Sequence, residues 1–155
     1  MKIHLWVSLL VLASFEVFGG VSPVLGPASF ASDDAFLDYV EHQTFNYFWE
    51  EANPTNGLVR DRSTRNSPCS IAAVGFGLSS LAVASERGWL PRPAAAARVL
   101  TTLQTLYQLP QGPGASGVCG YKGWFYHFLD LNTGLRCWRS ELSTIDTVLL
   151  MLGVV

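Results

Sequence analysis

The chain has 155 residues, a formal net charge of −2, 49% hydrophobic residues and only 14% charged ones. That balance excludes a disordered chain. Ten Lys and Arg against twelve Asp and Glu, with no basic cluster beyond Arg60, Arg62 and Arg65, also excludes a nucleic-acid or anionic-membrane surface built on bulk charge.

The first element in chain order is a leader. Lys2 precedes an apolar run from Leu5 to Ala13 broken only by Ser8, and Ser29-Phe30-Ala31 offers small residues at both positions that define a cleavage site. Glu16, Gly19, Gly20 and Pro23 interrupt the run before the roughly 18 apolar residues that a spanning helix requires. Residues 1–31 are therefore expected to be a signal peptide, and residues 32–155 an exported, periplasmic or extracellular part with no stable membrane anchor. Setting the leader aside lowers the hydrophobic share to about 46%, within the ordinary globular range. Cys69, Cys119 and Cys137 are an odd set that allows at most one disulfide, and buried small hydrophobes are the simpler reading. Their spacings fit no zinc pattern, and only His42 and His127 follow the leader, so neither a metal nor another cofactor is expected.

Ser32, Asp33 and Asp34 provide a cap for a helix over 35–51, where Phe36, Tyr39, Val40, Tyr47 and Phe48 make one apolar face. Asn53-Pro54-Thr55-Asn56-Gly57 opens a long polar loop through Pro68. From Ser70 to Arg87 the chain is small and apolar on nearly every side, which predicts a buried helix stopped by Gly88. Pro93, at a first helical position, starts a third helix with a stripe of Val99, Leu100, Leu103, Leu106 and Tyr107. A Pro/Gly loop follows over 110–117. Gly123 to Leu129 reads as an aromatic strand, Leu131-Asn132-Thr133-Gly134 as a turn and Leu135 to Trp138 as the returning strand of a hairpin. Ser143, with Asp146 three residues on, caps a fourth helix that runs to the apolar end Gly153-Val154-Val155. The pattern predicts an antiparallel helical stack with loops gathered at one end.

Carboxylates in polar or aromatic surroundings are the candidates for chemistry, because cleavage of a glycosidic bond needs an acid and a base or nucleophile. These are Asp61, Asp130, Glu141 and Asp146. Asp61 lies between Arg60 and Arg62, as a loop ion pair would, and Asp130 ends a strand where aspartate commonly bonds turn amides. Asp146 falls at the third helical position, suited to capping, whereas Glu141 has no capping duty. Flanked by Trp138 and Leu142, Glu141 is expected to be partly desolvated, with its pKa raised toward that of a general acid. Trp124, Tyr126 and Phe128 alternate with Phe125, His127 and Leu129. One face is expected to be core, and the other, with Lys122, His127 and Trp138, a stacking platform for sugar rings.

Four strings carry a resemblance: Gly57-Leu58-Val59-Arg60-Asp61-Arg62-Ser63; Cys69-Ser70-Ile71-Ala72-Ala73-Val74-Gly75-Phe76-Gly77-Leu78; Gly120-Tyr121-Lys122-Gly123-Trp124-Phe125-Tyr126-His127-Phe128-Leu129-Asp130; and Glu141-Leu142-Ser143-Thr144-Ile145-Asp146-Thr147. In this order they resemble the glucoamylase-like family, which includes bacterial endo-β-1,2-glucanases and a domain of cyclic β-1,2-glucan synthases. The resemblance implies a mainly α fold, part of an (α/α)6 toroid, with a sugar cleft where loops gather. It also implies hydrolysis of β-linked glucan, foremost β-1,2-glucan, by two inverting carboxylates. Asp130, Glu141 and Asp146 fall in strings implied to line the cleft as catalytic residues. Asp61, Arg62, Lys122, Trp124, Tyr126, His127 and Trp138 are the candidates for contact with substrate. Family domains are about three times as long, so the chain reads as an N-terminal third, expected to be poorly soluble and inactive alone. The competing expectation is a non-catalytic carbohydrate-binding or interaction module.

Overall fold

The structure is a computed structural model and describes residues 29–155, so the expected leader lies outside the described residues except for its last three positions. Helix α1, Asp33–Glu50, is capped by the Ser32 hydroxyl, which accepts from Ala35 N at 3.2 Å, and Asp33 and Asp34 lie in its first turn, where the helix dipole favours negative charge. Strand β1, Cys69–Ser70, runs directly into α2, Ile71–Glu86, and Ser70 caps that helix. Gly88 (φ 74°) ends α2: Gly88 N donates to Ser85 O and Trp89 N to Ala84 O, a closure that needs a left-handed residue. Helix α3 is Arg92–Gln108, with Pro93 at its second position rather than its first. Helix α4, Thr144–Val154, has Ser143 as its cap.

The expected hairpin over 123–138 forms only near its turn, and a second, unexpected one precedes it. The chain reverses earlier, at Lys122 (φ 52°) and Gly123 (φ 86°), joining β2, Gly120–Tyr121, to β3, Trp124–Phe125, through a two-residue turn with both φ angles positive. Strand β4, Phe128–Leu129, pairs antiparallel with β1, Cys69 facing Leu129 and Ser70 facing Phe128. The expected turn and return are present but short: Gly134 N donates to Asp130 O at 2.8 Å, and around the Leu129–Arg136 bridge Asp130 N donates to Leu135 O at 2.7 Å and Cys137 N to Phe128 O at 2.9 Å. Because the strand breaks after Phe125, its two faces do not alternate cleanly, and Phe125 and Tyr126 are both buried.

Helix α2 is the centre of the packing. Phe45 of α1 and Ala95 of α3 meet Leu81 and Ala84 near its C-terminal end, so α1 and α3 run antiparallel to it. Helix α4 lies parallel to α2 instead. The first turns of both are tied to the same strip of chain, Ile71 N to His127 O at 3.2 Å and Ser143 N to Phe125 O at 2.9 Å. The α2–α4 contact is close enough to require glycine: a Cβ on Gly75 would meet the backbone of Leu149 and Leu150, and one on Gly153 the carbonyl of Gly75. Leu58, Cys69, Ile71, Leu129 and Leu150 are fully buried where β1, β4 and the two parallel helices converge. Loops gather there as expected, and Asn53 and Asn56 both donate to Leu131 O, lacing the early loop to the later turn.

Candidate active site

The strip between β3 and β4 and the segment entering α4 lie side by side. His127 N donates to Glu141 O at 3.0 Å, Tyr126 bridges Leu142, and Phe125 N donates to Thr147 Oγ1 at 3.0 Å. This register brings His127, Glu141 and Asp146 together. His127 Nδ1 lies 2.8 Å from Glu141 Oε1, and Nε2 lies 3.8 Å from Asp146 Oδ1. Ser143 completes the group: its Oγ accepts from Asp146 N at 3.2 Å and its hydroxyl donates to Asp146 Oδ2, while its own N–H goes to Phe125 O, so the cap is present without the reciprocal bond of a capping box. Asp146 is buried and Glu141 exposed.

The aromatic surface is smaller than expected. The His127 ring stacks on Phe128 at 3.8 Å between centroids, and Phe128 receives the Trp138 ring edge-on at 5.7 Å. Trp138 is 72% exposed and has a left-handed backbone, φ 53°. Arg136 was not singled out from sequence. Its guanidinium donates to Ser140 O, holding the turn that presents Trp138 and Glu141, and it also covers the Tyr126 ring at 4.0 Å. Tyr126 is therefore a core residue and not a platform residue. Lys122 sits in the β2–β3 turn with its amine 5.3 Å from the Tyr121 ring, and Trp124 is partly exposed on β3.

The expected desolvation of Glu141 is also corrected. The exposed carboxyl is held below the usual carboxylate range, first by its own backbone N–H and then by His127. It carries charge at neutral pH. Asp130 Oδ1 accepts from Thr133 N at 2.7 Å, Asn132 N at 3.0 Å and the Thr133 hydroxyl at 2.9 Å; the Thr133 amide contributes most to lowering its pKa. Asp61 is gripped by Arg62, with Nη2 at 2.6 Å and Nε at 2.8 Å, in the long loop. Both residues have the structural duties that their sequence contexts suggest. Cys69, Cys119 and Cys137 are free; burial pushes the Cys69 thiol up and the Cys119 thiol to about 11, so neither is a reactive nucleophile.

One donor atom from each of His127, Glu141 and Asp146 lies within 4.8 Å of the other two. An inverting carboxylate pair needs roughly 6.5–9.5 Å for an intervening water. One oxygen of Glu141 and one of Asp146 stand closer than that in this arrangement.

No family model matches the chain. An exo beta-1,2-glucooligosaccharide sophorohydrolase (non-reducing end) of Parabacteroides distasonis is 32% identical over 104 residues, covering 66% of this chain. The solved beta-1,2-glucanase from Parabacteroides distasonis matches 79% of this chain with 27% identity and a TM-score of 0.67. The chain is a relative of the glucoamylase-like family. Its fold is also that of the endo-beta-1,2-glucanase from Chitinophaga pinensis, solved with sophorotriose and glucose, which matches 81% of this chain with a TM-score of 0.67 at 24% identity. The described helices form part of an (α/α)6 toroid, in which neighbouring inner helices run parallel as α2 and α4 do. The chain spans 13% of the length of the sophorohydrolase, 17% of the Parabacteroides glucanase and 31% of the Chitinophaga enzyme.

Proposed function

We propose that residues 32–155 supply a glucan-facing, carboxylate-bearing part of an exported glycoside hydrolase acting on β-1,2-linked glucan. The observation that carries this reading is a chain of contacts: Glu141 and Asp146 meet His127, whose ring stacks on Phe128, which meets the exposed Trp138 ring; charged oxygens and aromatic faces on one strip suit a sugar ring with apolar C–H faces and hydroxyl edges. The names of the matched relatives support β-1,2-glucan as the substrate class, and the leader pattern in residues 1–31 supports export. An inverting reaction at this site needs a second carboxylate across the scissile bond from the first, with room for a water between them. Glu141 is the better candidate within the cluster, since Asp146 is occupied by Ser143.

The test is calorimetric titration of β-1,2-, β-1,3- and α-1,4-glucooligosaccharides into the chain, with reducing-end release followed in parallel. Selective binding of the β-1,2 series, lost on Trp138→Ala, is the expected result; equal binding of all three series would overturn the substrate assignment. The capping duty of Asp146 favours a second reading, a carbohydrate-binding module without catalysis. Retained binding with no reducing-end release from a chain extended to the length of the matched glucanases would favour that module.

A further inference from the structure

We propose that His127 is a positioning residue: it clamps Glu141 at two points and fixes the direction of that exposed carboxylate. The main-chain N–H of His127 donates to Glu141 O at 3.0 Å, and its ring Nδ1 lies 2.8 Å from Glu141 Oε1. An ionised carboxylate only accepts, so Nδ1 carries the hydrogen and donates it. The use of this carboxylate toward a glucan rests on the function proposed above; the pairing itself does not.

Glu141 has little else to hold it. Its side chain is 67% exposed against 29% for His127, and among the described residues its carboxylate makes no other side-chain hydrogen bond. An exposed glutamate left alone samples several rotamers, and a ligand that needs one of them must order it on binding. His127 is anchored where Glu141 is not. Its carbonyl accepts from Ile71 N at the start of α2 at 3.2 Å, its ring stacks on Phe128 at 3.8 Å, and Nε2 faces Asp146 Oδ1 in the first turn of α4 at 3.8 Å. The imidazole therefore ties the loop that bears Glu141 to the ends where both parallel helices begin.

The charged surroundings agree with this geometry. The Glu141 carboxyl is held below the usual carboxylate range first by its own backbone N–H, then by the His127 hydrogen bond, with the charge of Arg136 adding to the effect. Asp146 is the other charged group that faces the imidazole. With Nδ1 committed to Glu141 and the ring stacked on Phe128, His127 acts on a sugar through the carboxylate it holds.

A titration and a double-mutant cycle on the full chain test the clamp. In carboxyl carbon-13 NMR, with the Glu141 resonance assigned from Glu141→Gln, Glu141 should titrate at higher pH in His127→Phe than in the parent. His127→Asn, whose side-chain amide can donate from near the Nδ1 position, should lie between the two, and it carries the same comparison if His127→Phe unfolds on heating earlier than the parent. Affinity for β-1,2-glucooligosaccharides should fall several-fold, up to about tenfold, in His127→Phe. It should fall no further in the double variant His127→Phe with Glu141→Gln than in Glu141→Gln alone. An unchanged Glu141 titration in both His127 variants would overturn the proposal, and so would losses of affinity that add in the double variant, because His127 would then act without Glu141. A shifted titration in a chain whose parent binds no β-1,2-glucan would uphold the clamp and overturn the glucan-facing reading alone.

Discussion

Trp138 combines a left-handed backbone with an exposed ring, two features that each cost free energy without serving the core. Replacing it by glycine removes about 1–2 kcal/mol of left-handed strain but adds up to about 1 kcal/mol of unfolded-chain entropy. Trp138→Gly should therefore leave urea-unfolding stability within about 1 kcal/mol of the parent while abolishing affinity for β-1,2-glucooligosaccharides. A large loss of stability would mean that the ring serves packing and not ligand. Asp130 gives the opposite kind of prediction. Its folded pKa is depressed, so its contribution is present above the unfolded carboxylate value and is lost as pH falls through the folded one. Asp130→Asn keeps an acceptor for the turn amides but loses this titration. Between neutral and acidic pH, unfolding free energy should fall less in the variant than in the parent. The structural role of Asp130 was legible because an aspartate before Asn132, Thr133 and Gly134 has turn amides within reach. The state of Glu141 was not: its exposed carboxyl is paired with His127, a partner fourteen residues away that no local pattern announces.

Helix identities were legible because each start carries its own chemistry: Ser32, Ser70 and Ser143 cap α1, α2 and α4, and Gly88 closes α2. The earlier hairpin was not legible for a related reason. Asn132-Thr133-Gly134 has the residues of a strong turn signal and does turn the chain, whereas the earlier reversal uses Lys122-Gly123, with a lysine where asparagine is preferred. Lys122→Asn should consequently stabilise the fold by a few tenths of a kcal/mol up to about 1 kcal/mol in thermal unfolding. The cause of Gly75 inside α2 lies in α4, some seventy residues away. Alanine normally favours a helix by about 1 kcal/mol over glycine. At Gly75 a Cβ would instead strike the α4 backbone, with Leu150 Cα at 2.6 Å, so the two helices must separate. Gly75→Ala should cost about 1–3 kcal/mol, as overpacking does. Gly77→Ala, whose nearest neighbour is the Val59 side chain at 3.0 Å, should cost clearly less. Equal effects in urea unfolding would show that the α2–α4 contact is looser than described.

The parallel placement of α2 and α4 shapes the whole molecule, and no periodicity within either helix reveals it. It follows from the long excursion through α3, β2, β3 and β4, which carries the chain back to the end where α2 began. What periodicity does reveal is apolar surface beyond the needs of this contact. Phe76 and Val83 form an exposed stripe on α2, and Ile145, Val148 and Leu152 form one on α4. Burying such side chains releases about 1.5–3 kcal/mol each, so surfaces of this kind associate or precipitate when left in water. The chain spans less than a third of the Chitinophaga enzyme that shares its fold, in keeping with helix faces that have no neighbour among the described residues. Val148→Lys combined with Leu152→Lys should raise the soluble concentration and suppress concentration-dependent sedimentation. Because both positions are exposed on α4, unfolding free energy should change by no more than about 0.5 kcal/mol per substitution. A loss of several kcal/mol, with sedimentation unchanged, would instead place these side chains in the folding core and remove their exposure as a source of association.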